Sequence, residues 1–278
     1  MRILQFKPMS GIDKLREFAV KIGNGSGCLF PLENCDYAYV LTAKHVIEEH
    51  HELIVVRQKI GYGQKGEDEK LEIIDTPYLH SNPNKDAAII KVKAIEGLPP
   101  LLKINYPPQS CDGYYLIGHP TDAREDSDSY RQNKVEIHNE KPFGYIEAQL
   151  DTQTEHRELI GQSGGGIIRL HKQTFLLIGV QKGLPVPNKK EMLNRIVFMP
   201  LTFFDEIISE NVEKLEVLPL FNEEISITES KESSGTQAKT KVNIKGGFYQ
   251  PNWQIQGNVF QTAGDVILSN KNDDSKDD

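Results

Sequence analysis

An all-β barrel or sandwich is the architecture this sequence predicts. Short runs rich in apolar and β-branched residues recur along the chain, Gly, Pro, Asn and Asp punctuate them, and no long helical period lies between. Over 11–21 the pattern reads as a short helix capped by Asp13 that passes into a strand. Strands are expected at 26–30, 37–42, 53–57, 71–75 and 87–93, then at 114–118, 135–138, 143–149, 166–170, 175–181 and 195–200. Pro99-Pro100 and Pro107-Pro108 lie near the seam between the two series, so a boundary is placed between 1–108 and 109–221. Phe203, Phe204, Ile207, Ile208 and Val212 then recur at helical spacing, which predicts a helix over 202–215 with Thr202 as N-cap.

The chain changes character after that helix. Residues 222–241 are polar and charged, too poor in apolar groups to fold alone, and read as a linker. From 242 to 270 alternation of period two returns, with Gly-Asn and Gly-Asp turns between runs. So short a β-rich segment cannot bury enough surface to stand alone. It needs a partner: the body of the chain, another copy in a homo-oligomer, or a different protein through strand addition. Residues 271–278 form an acidic end expected to be disordered.

Bulk composition excludes several classes. With 278 residues, 38% hydrophobic and 26% charged, the chain can build a two-lobed globular body with an appendage. A net charge of −8 argues against nucleic-acid binding, which needs clustered Lys and Arg. No apolar run approaches the ~18 residues of a membrane span, and the start, Met1 to Pro8, is too interrupted for a signal peptide. Cys28, Cys35 and Cys111 are odd in number and match no metal spacing. His51-Glu52-Leu53-Ile54-Val55 breaks the zinc pattern His-Glu-x-x-His at its last position. No metal or other cofactor is expected, and reduced cysteines point to a cytoplasmic protein.

The chemistry is concentrated in three places. Gly161-Gln162-Ser163-Gly164-Gly165-Gly166 holds a serine inside a turn of glycines. A hydroxyl needs a base to become a nucleophile, and Leu41-Thr42-Ala43-Lys44-His45 ends an apolar strand on a histidine. Asp86 opens the apolar strand Ala87-Ala88-Ile89-Ile90, where a carboxylate can orient the imidazole. The order is His, Asp, Ser. Each residue also has a plain structural alternative: a turn histidine, a strand-start aspartate, a glycine-rich hairpin.

Thr-Ala-x-His, Asp-x-Ala-x-Ile and Gly-x-Ser-Gly-Gly together resemble the motifs of trypsin/chymotrypsin-like serine peptidases. Gly25-Ser26-Gly27-Cys28-Leu29-Phe30 is similar to the strand that opens the first barrel in intracellular and bacterial members. The resemblance covers roughly residues 15 to 205. It implies two antiparallel β-barrels with the site between them, a closing C-terminal helix, and a catalytic His45, Asp86 and Ser163. It implies an oxyanion hole from the N–H groups of Gly161 and Ser163. His156 and Arg157 would lie at the floor of the substrate pocket, and Gln181 and Lys182 on its wall; Arg157 and Lys182 there favour an acidic residue before the scissile bond.

Departures from the pattern also inform. Secreted relatives carry a cysteine after the histidine, where Val46 stands, and an aspartate before the serine, where Gln162 stands. Activation by insertion of a new N-terminus is therefore not expected, and control by a partner or by assembly is. The tail resembles those of bacterial multi-component and defence-type proteins. The expectation is a serine endopeptidase acting on a protein substrate, with a catalytically silent binding module on the same scaffold as the alternative.

Overall fold

The register of the first sheet places the histidine and aspartate segments side by side. A computed structural model describes residues 11–48, 52–59, 67–104, 113–123, 128–154, 156–171, 174–183, 193–221, 240–242, 258–262 and 265–269. Its first sheet is built from β1 (Ala19–Ile22), β2 (Gly25–Pro31), β3 (Tyr37–Ala43), β4 (Val55–Lys59), β5 (Glu67–Lys70), β6 (Tyr78–Leu79) and β7 (Ala87–Lys93). The spatial order is β5-β4-β1-β2-β3-β7-β6, antiparallel throughout. Ala43, at the end of β3, pairs with Ala87, at the start of β7. His45 and Asp86 lie just beyond that pair at one end of the sheet.

The second sheet comprises β8 (Leu101–Lys103), β9 (Tyr114–Gly118), β10 (Arg131–Glu140), β11 (Ile146–Thr154), β12 (Gly166–His171), β13 (Thr174–Gly183) and β14 (Leu193–Pro200). Six of its strands run β12-β9-β10-β11-β14-β13, and β12 pairs again with β13, so they close into a barrel. Among the described residues no such pairing closes the first sheet. β8 adds in parallel to β13, so the chain joins the second sheet before the boundary at 108 drawn from the prolines. The all-β, two-lobed body expected from the sequence is the fold observed.

Alternation along the strands sorts side chains between two cores. Tyr114, Leu116, Ala148, Ile167, Leu176, Ile178 and Phe198 fill the second barrel. Ile117, Ile168 and Leu177 belong instead to the larger core shared with the first sheet. The edge-on contact of Phe18 with Phe175, 5.2 Å between centroids, also joins the lobes. Each such ring or branched chain taken from water contributes about 1.5–3 kcal/mol.

Several elements differ from the sequence expectation. Residues 13–18 are a 3₁₀ turn whose N-cap is Ile12, without a side-chain hydrogen bond, rather than a helix capped by Asp13. The strand expected at 143–149 begins only at Ile146, after the turn Pro142–Gly144, and β5, β6 and β8 were not expected. Residues 71–75 form no strand; only Ile73 makes an isolated bridge, to Val92. Asp75 accounts for this by accepting hydrogen bonds from the Thr76 N–H and the Tyr78 hydroxyl, which turns the chain. Among the described residues of the body the helices are α1 (Lys44–Glu48), α2 (His156–Leu159) and α3 (Leu201–Glu210), with 3₁₀ turns at Asp13–Phe18, Thr121–Ala123 and Pro142–Gly144. α3 is shorter than 202–215 and is capped by Pro200, without a side-chain hydrogen bond, rather than by Thr202. Pro200 ends β14, and its fixed φ of −67° lets strand run straight into helix. After Asn211 the apolar residues reach the core from irregular chain: Leu215 and Leu218 are buried while Val212 is exposed.

α3 also anchors the loop that delivers Asp86. Glu206 accepts from Lys85 Nζ at 2.6 Å and from His80 Nε2 at 2.9 Å. The Asn82 N–H donates to His80 Nδ1, which assigns the His80 proton to Nε2. Burial opposes the Glu206 charge, but the bonds from Lys85 and His80 outweigh it and hold the carboxyl below its usual range. A lowered folded-state value stabilises the protein above the unfolded value and is lost as pH falls through the folded one. Thermal melting from about pH 5 down to about pH 3 should therefore fall less steeply for Glu206→Gln than for the wild type. Parallel slopes would refute the assignment.

The chain divides after Phe221 into a second unit. Its described residues are β15 (Thr240–Val242), β16 (Asn258–Thr262) and β17 (Asp265–Ser269), which pair in the antiparallel order β15-β17-β16. The remainder of the expected linker and β-rich segment, and the acidic end, lie outside the described residues. Among the described residues no helix is long and apolar enough to cross a membrane. Cys28 and Cys35 are free thiols, and burial pushes the Cys28 thiol up; Cys111 lies outside the described residues.

Candidate active site

Asp86 grips α1 at its first turn. Its Oδ1 accepts the His45 backbone N–H at 2.9 Å and its Oδ2 lies 2.7 Å from His45 Nδ1. The Lys44 N–H donates to the Asp86 carbonyl at 2.9 Å. A carboxylate only accepts, so the pairing assigns the ring proton to Nδ1 and leaves Nε2 as the acceptor. The carboxylate is 16% exposed and the imidazole 38%, so the acid is covered while the base reaches outward.

The serine loop belongs to the other lobe, between α2 and β12. Gly161 and Gly164 both have φ of +90°, a region closed to most side chains. A methyl on Gly164 would fall 2.0 Å from the Ser26 carbonyl oxygen, so the loop packs backbone on backbone. Ser26, on β2, is the tie. Its N–H donates to the Ser163 carbonyl at 2.7 Å and its hydroxyl to the Gly161 carbonyl at 2.6 Å. The Ser26 hydroxyl in turn accepts the His119 N–H, and its carbonyl accepts the Thr42 hydroxyl. Within the loop the N–H groups of Gln162, Gly164 and Gly165 bond to Leu159, Gln181 and Gln162 carbonyls. Gly161 and Ser163 keep the loop's N–H groups that no described residue accepts.

Gly25 shows how near the halves approach. A methyl there would meet the Val46 side chain, next to His45, at 2.5 Å and the Ser163 carbonyl at 3.1 Å. A methyl on Gly183, at the end of β13, would sit 3.8 Å from Ser163 Oγ. The three candidate residues thus converge on one seam: His45 and Asp86 in direct contact, and Ser163 carried in from the second lobe.

Gln162, where secreted relatives carry an aspartate, is wholly buried. Its Nε2 donates to the Glu158 carbonyl at 2.9 Å, and Asn133 Nδ2 approaches its Oε1 at 3.4 Å. These neutral partners leave no buried charge for a new N-terminus to neutralise. Lys182 holds its ammonium 4.2 Å from the Tyr145 ring centroid. Arg157 lies on α2, with its side chain outside the described residues. Among the described residues no three His, Cys, Asp or Glu side chains gather as a metal site; His50 and His51 lie outside them.

The family model of the trypsin-like peptidase domain matches residues 25–180, more than half of the chain, and spans all three candidate residues. The chain belongs to the trypsin-like peptidase family. As a trypsin-like peptidase it is a serine protease. None of the curated proteins is a match. A solved serine endoprotease from Yersinia pestis is similar over 75% of this chain and 69% of that chain, at 20% identity and a TM-score of 0.49. The family assignment rests on the 25–180 match, not on that likeness. Two residues of this trypsin-like site escaped sequence reasoning. Ser26 sat in a recognised segment without its tie to the serine loop being legible, and Tyr145 carried no motif at all.

Proposed function

We propose that this serine protease is an endopeptidase that cleaves a protein substrate by acyl transfer at Ser163. Ser163 Oγ attacks the scissile carbonyl carbon while His45 Nε2 takes its proton; the carbonyl π pair becomes the oxyanion. The N–H groups of Gly161 and Ser163 receive that charge. The imidazolium then gives its proton to the leaving amine as the C–N bond breaks. Water, deprotonated by the same imidazole, hydrolyses the acyl-enzyme. Asp86 keeps the proton on Nδ1 and stabilises the imidazolium. The observation that carries this reading is the 2.7 Å contact between His45 Nδ1 and Asp86 Oδ2 at the start of α1. A fluorophosphonate probe tests it: the intact protein should be labelled, with the adduct mapped to the peptide containing Ser163. A probe-inert protein, or an adduct elsewhere, would overturn it.

The substrate residue before the cut is proposed to be acidic. Lys182 supports this, because its neighbour Gly183 borders Ser163 Oγ; Arg157 is the second cation. Control is assigned to a protein partner or to self-assembly through the β-rich tail, in a cytoplasmic, defence-type setting. The neutral Gln162 site and the self-paired strands β15 to β17 support control of that kind over N-terminal insertion.

A further inference from the structure

We infer that Tyr145 is a positioning residue for the reaction, acting from the second lobe on Asp86; the inference rests on the triad reading above. Its hydroxyl accepts the Asp86 backbone N–H at 3.0 Å and donates to the Asn84 carbonyl at 2.8 Å. One phenol therefore closes the loop 84–86 from outside, while the Asp86 carboxylate grips His45 from inside. The ring is 4% exposed and meets Phe203 of α3 edge-on at 5.3 Å. It also meets Lys182 Nζ on β13. Tyr145 thus spans the acid loop of the first lobe, the terminal helix, and the strand beside Ser163.

The backbone is bent to place it there. Phe143 and Gly144 have φ of +65° and +80°, and the Lys141 N–H donates to the Tyr145 carbonyl at 2.6 Å. A left-handed phenylalanine is strained, and Phe143 is 65% exposed, so no burial of its own ring accounts for the conformation. What the turn achieves is delivery of the next aromatic across the lobe boundary.

Phenylalanine at 145 removes the hydroxyl and leaves the ring. The Asp86 N–H and Asn84 carbonyl lose their partner, the loop shifts, and the carboxylate no longer meets Nδ1 squarely. A small misplacement of a catalytic group costs about 10- to 100-fold in rate. We expect Tyr145→Phe to lower kcat per titrated site by about that factor with KM little changed. A less well placed carboxylate favours the imidazolium less, so the acid limb of the pH–rate profile should move to lower pH. Among the described residues the charged groups around this shell are Lys182 over the ring, Lys85 and His80 with Glu206 below the loop, and Lys44 with Glu48 on α1. The substitution changes none of them.

Three readouts separate positioning from mere structure. The low-field proton resonance of the His45–Asp86 bond should shift or broaden in Tyr145→Phe, a measurement that needs no turnover and so survives failure of the Ser163 reading. Phe203→Leu disturbs the packing but keeps the hydroxyl; it should lower Tm without moving the acid limb. In the wild type the Asp86 amide should exchange slowly with solvent. An unchanged limb and resonance in Tyr145→Phe, an equal shift in Phe203→Leu, or a fast-exchanging Asp86 amide would each overturn the inference.

Discussion

Ser163→Ala should lower kcat by about 10⁶-fold and abolish fluorophosphonate labelling, with Tm shifted by no more than about 2 °C. The separation of the two effects follows from how the loop is held. Ser26 bonds to the carbonyls of residues 161 and 163, and Gly164 and Gly165 bond through their backbone. None of these ties uses the Ser163 hydroxyl, so alanine leaves the turn standing and removes only the nucleophile. A residual acceleration of about 10³–10⁴ over water is expected from bound substrate and the N–H groups alone. Turnover on a peptide substrate and a melting curve of the same preparation check both halves. Retained turnover would move the chemistry to another residue; a collapse in Tm would mean the hydroxyl holds the loop.

Asp86→Asn should cost about 10⁴-fold in kcat, for a reason visible in its two hydrogen bonds. Oδ1 accepts the His45 backbone N–H, and Oδ2 faces Nδ1. An amide offers one acceptor and one donor. Its oxygen must face the backbone N–H, since the opposite flip sets two donors together, and its NH₂ then faces Nδ1. Nδ1 becomes an acceptor, the ring proton moves to Nε2, and the nitrogen that should take the Ser163 proton carries one already. The residue remains isosteric, so the protein should fold and melt near the wild type. Steady-state kinetics near neutral pH measures the loss, and the rate of fluorophosphonate labelling should fall with it. A loss under about tenfold would show that Asp86 only anchors α1.

The strands were legible in the sequence where apolar and β-branched residues clustered between turn residues. Ala87–Lys93 and Tyr114–Gly118 occupy the expected positions because apolar residues there fill two distinct cores. The segment 71–75 misled because its apolar residues straddle a turn set by Asp75, an interaction invisible to periodicity. The helix at 202–215 was overextended for a related reason: Leu215 and Leu218 are buried, but from irregular chain. At the site, motifs picked out the candidates His45, Asp86 and Ser163 because the proposed chemistry needs those residue types. Ser26 and Tyr145 work through contacts more than 50 positions apart in the chain, 135 for Ser26 to Gly161 and 59 for Asp86 to Tyr145. Local pattern holds no trace of them.

The ties of Ser26 and Tyr145 run in opposite directions. The first half of the molecule clasps the loop bearing the alcohol, and the second half clasps the loop bearing the acid. Neither half alone owns a working constellation. On the proposed triad, competence to cut therefore requires both halves to be folded and docked. By the same reciprocity, a ligand that prised the seam apart would loosen both clasps at once.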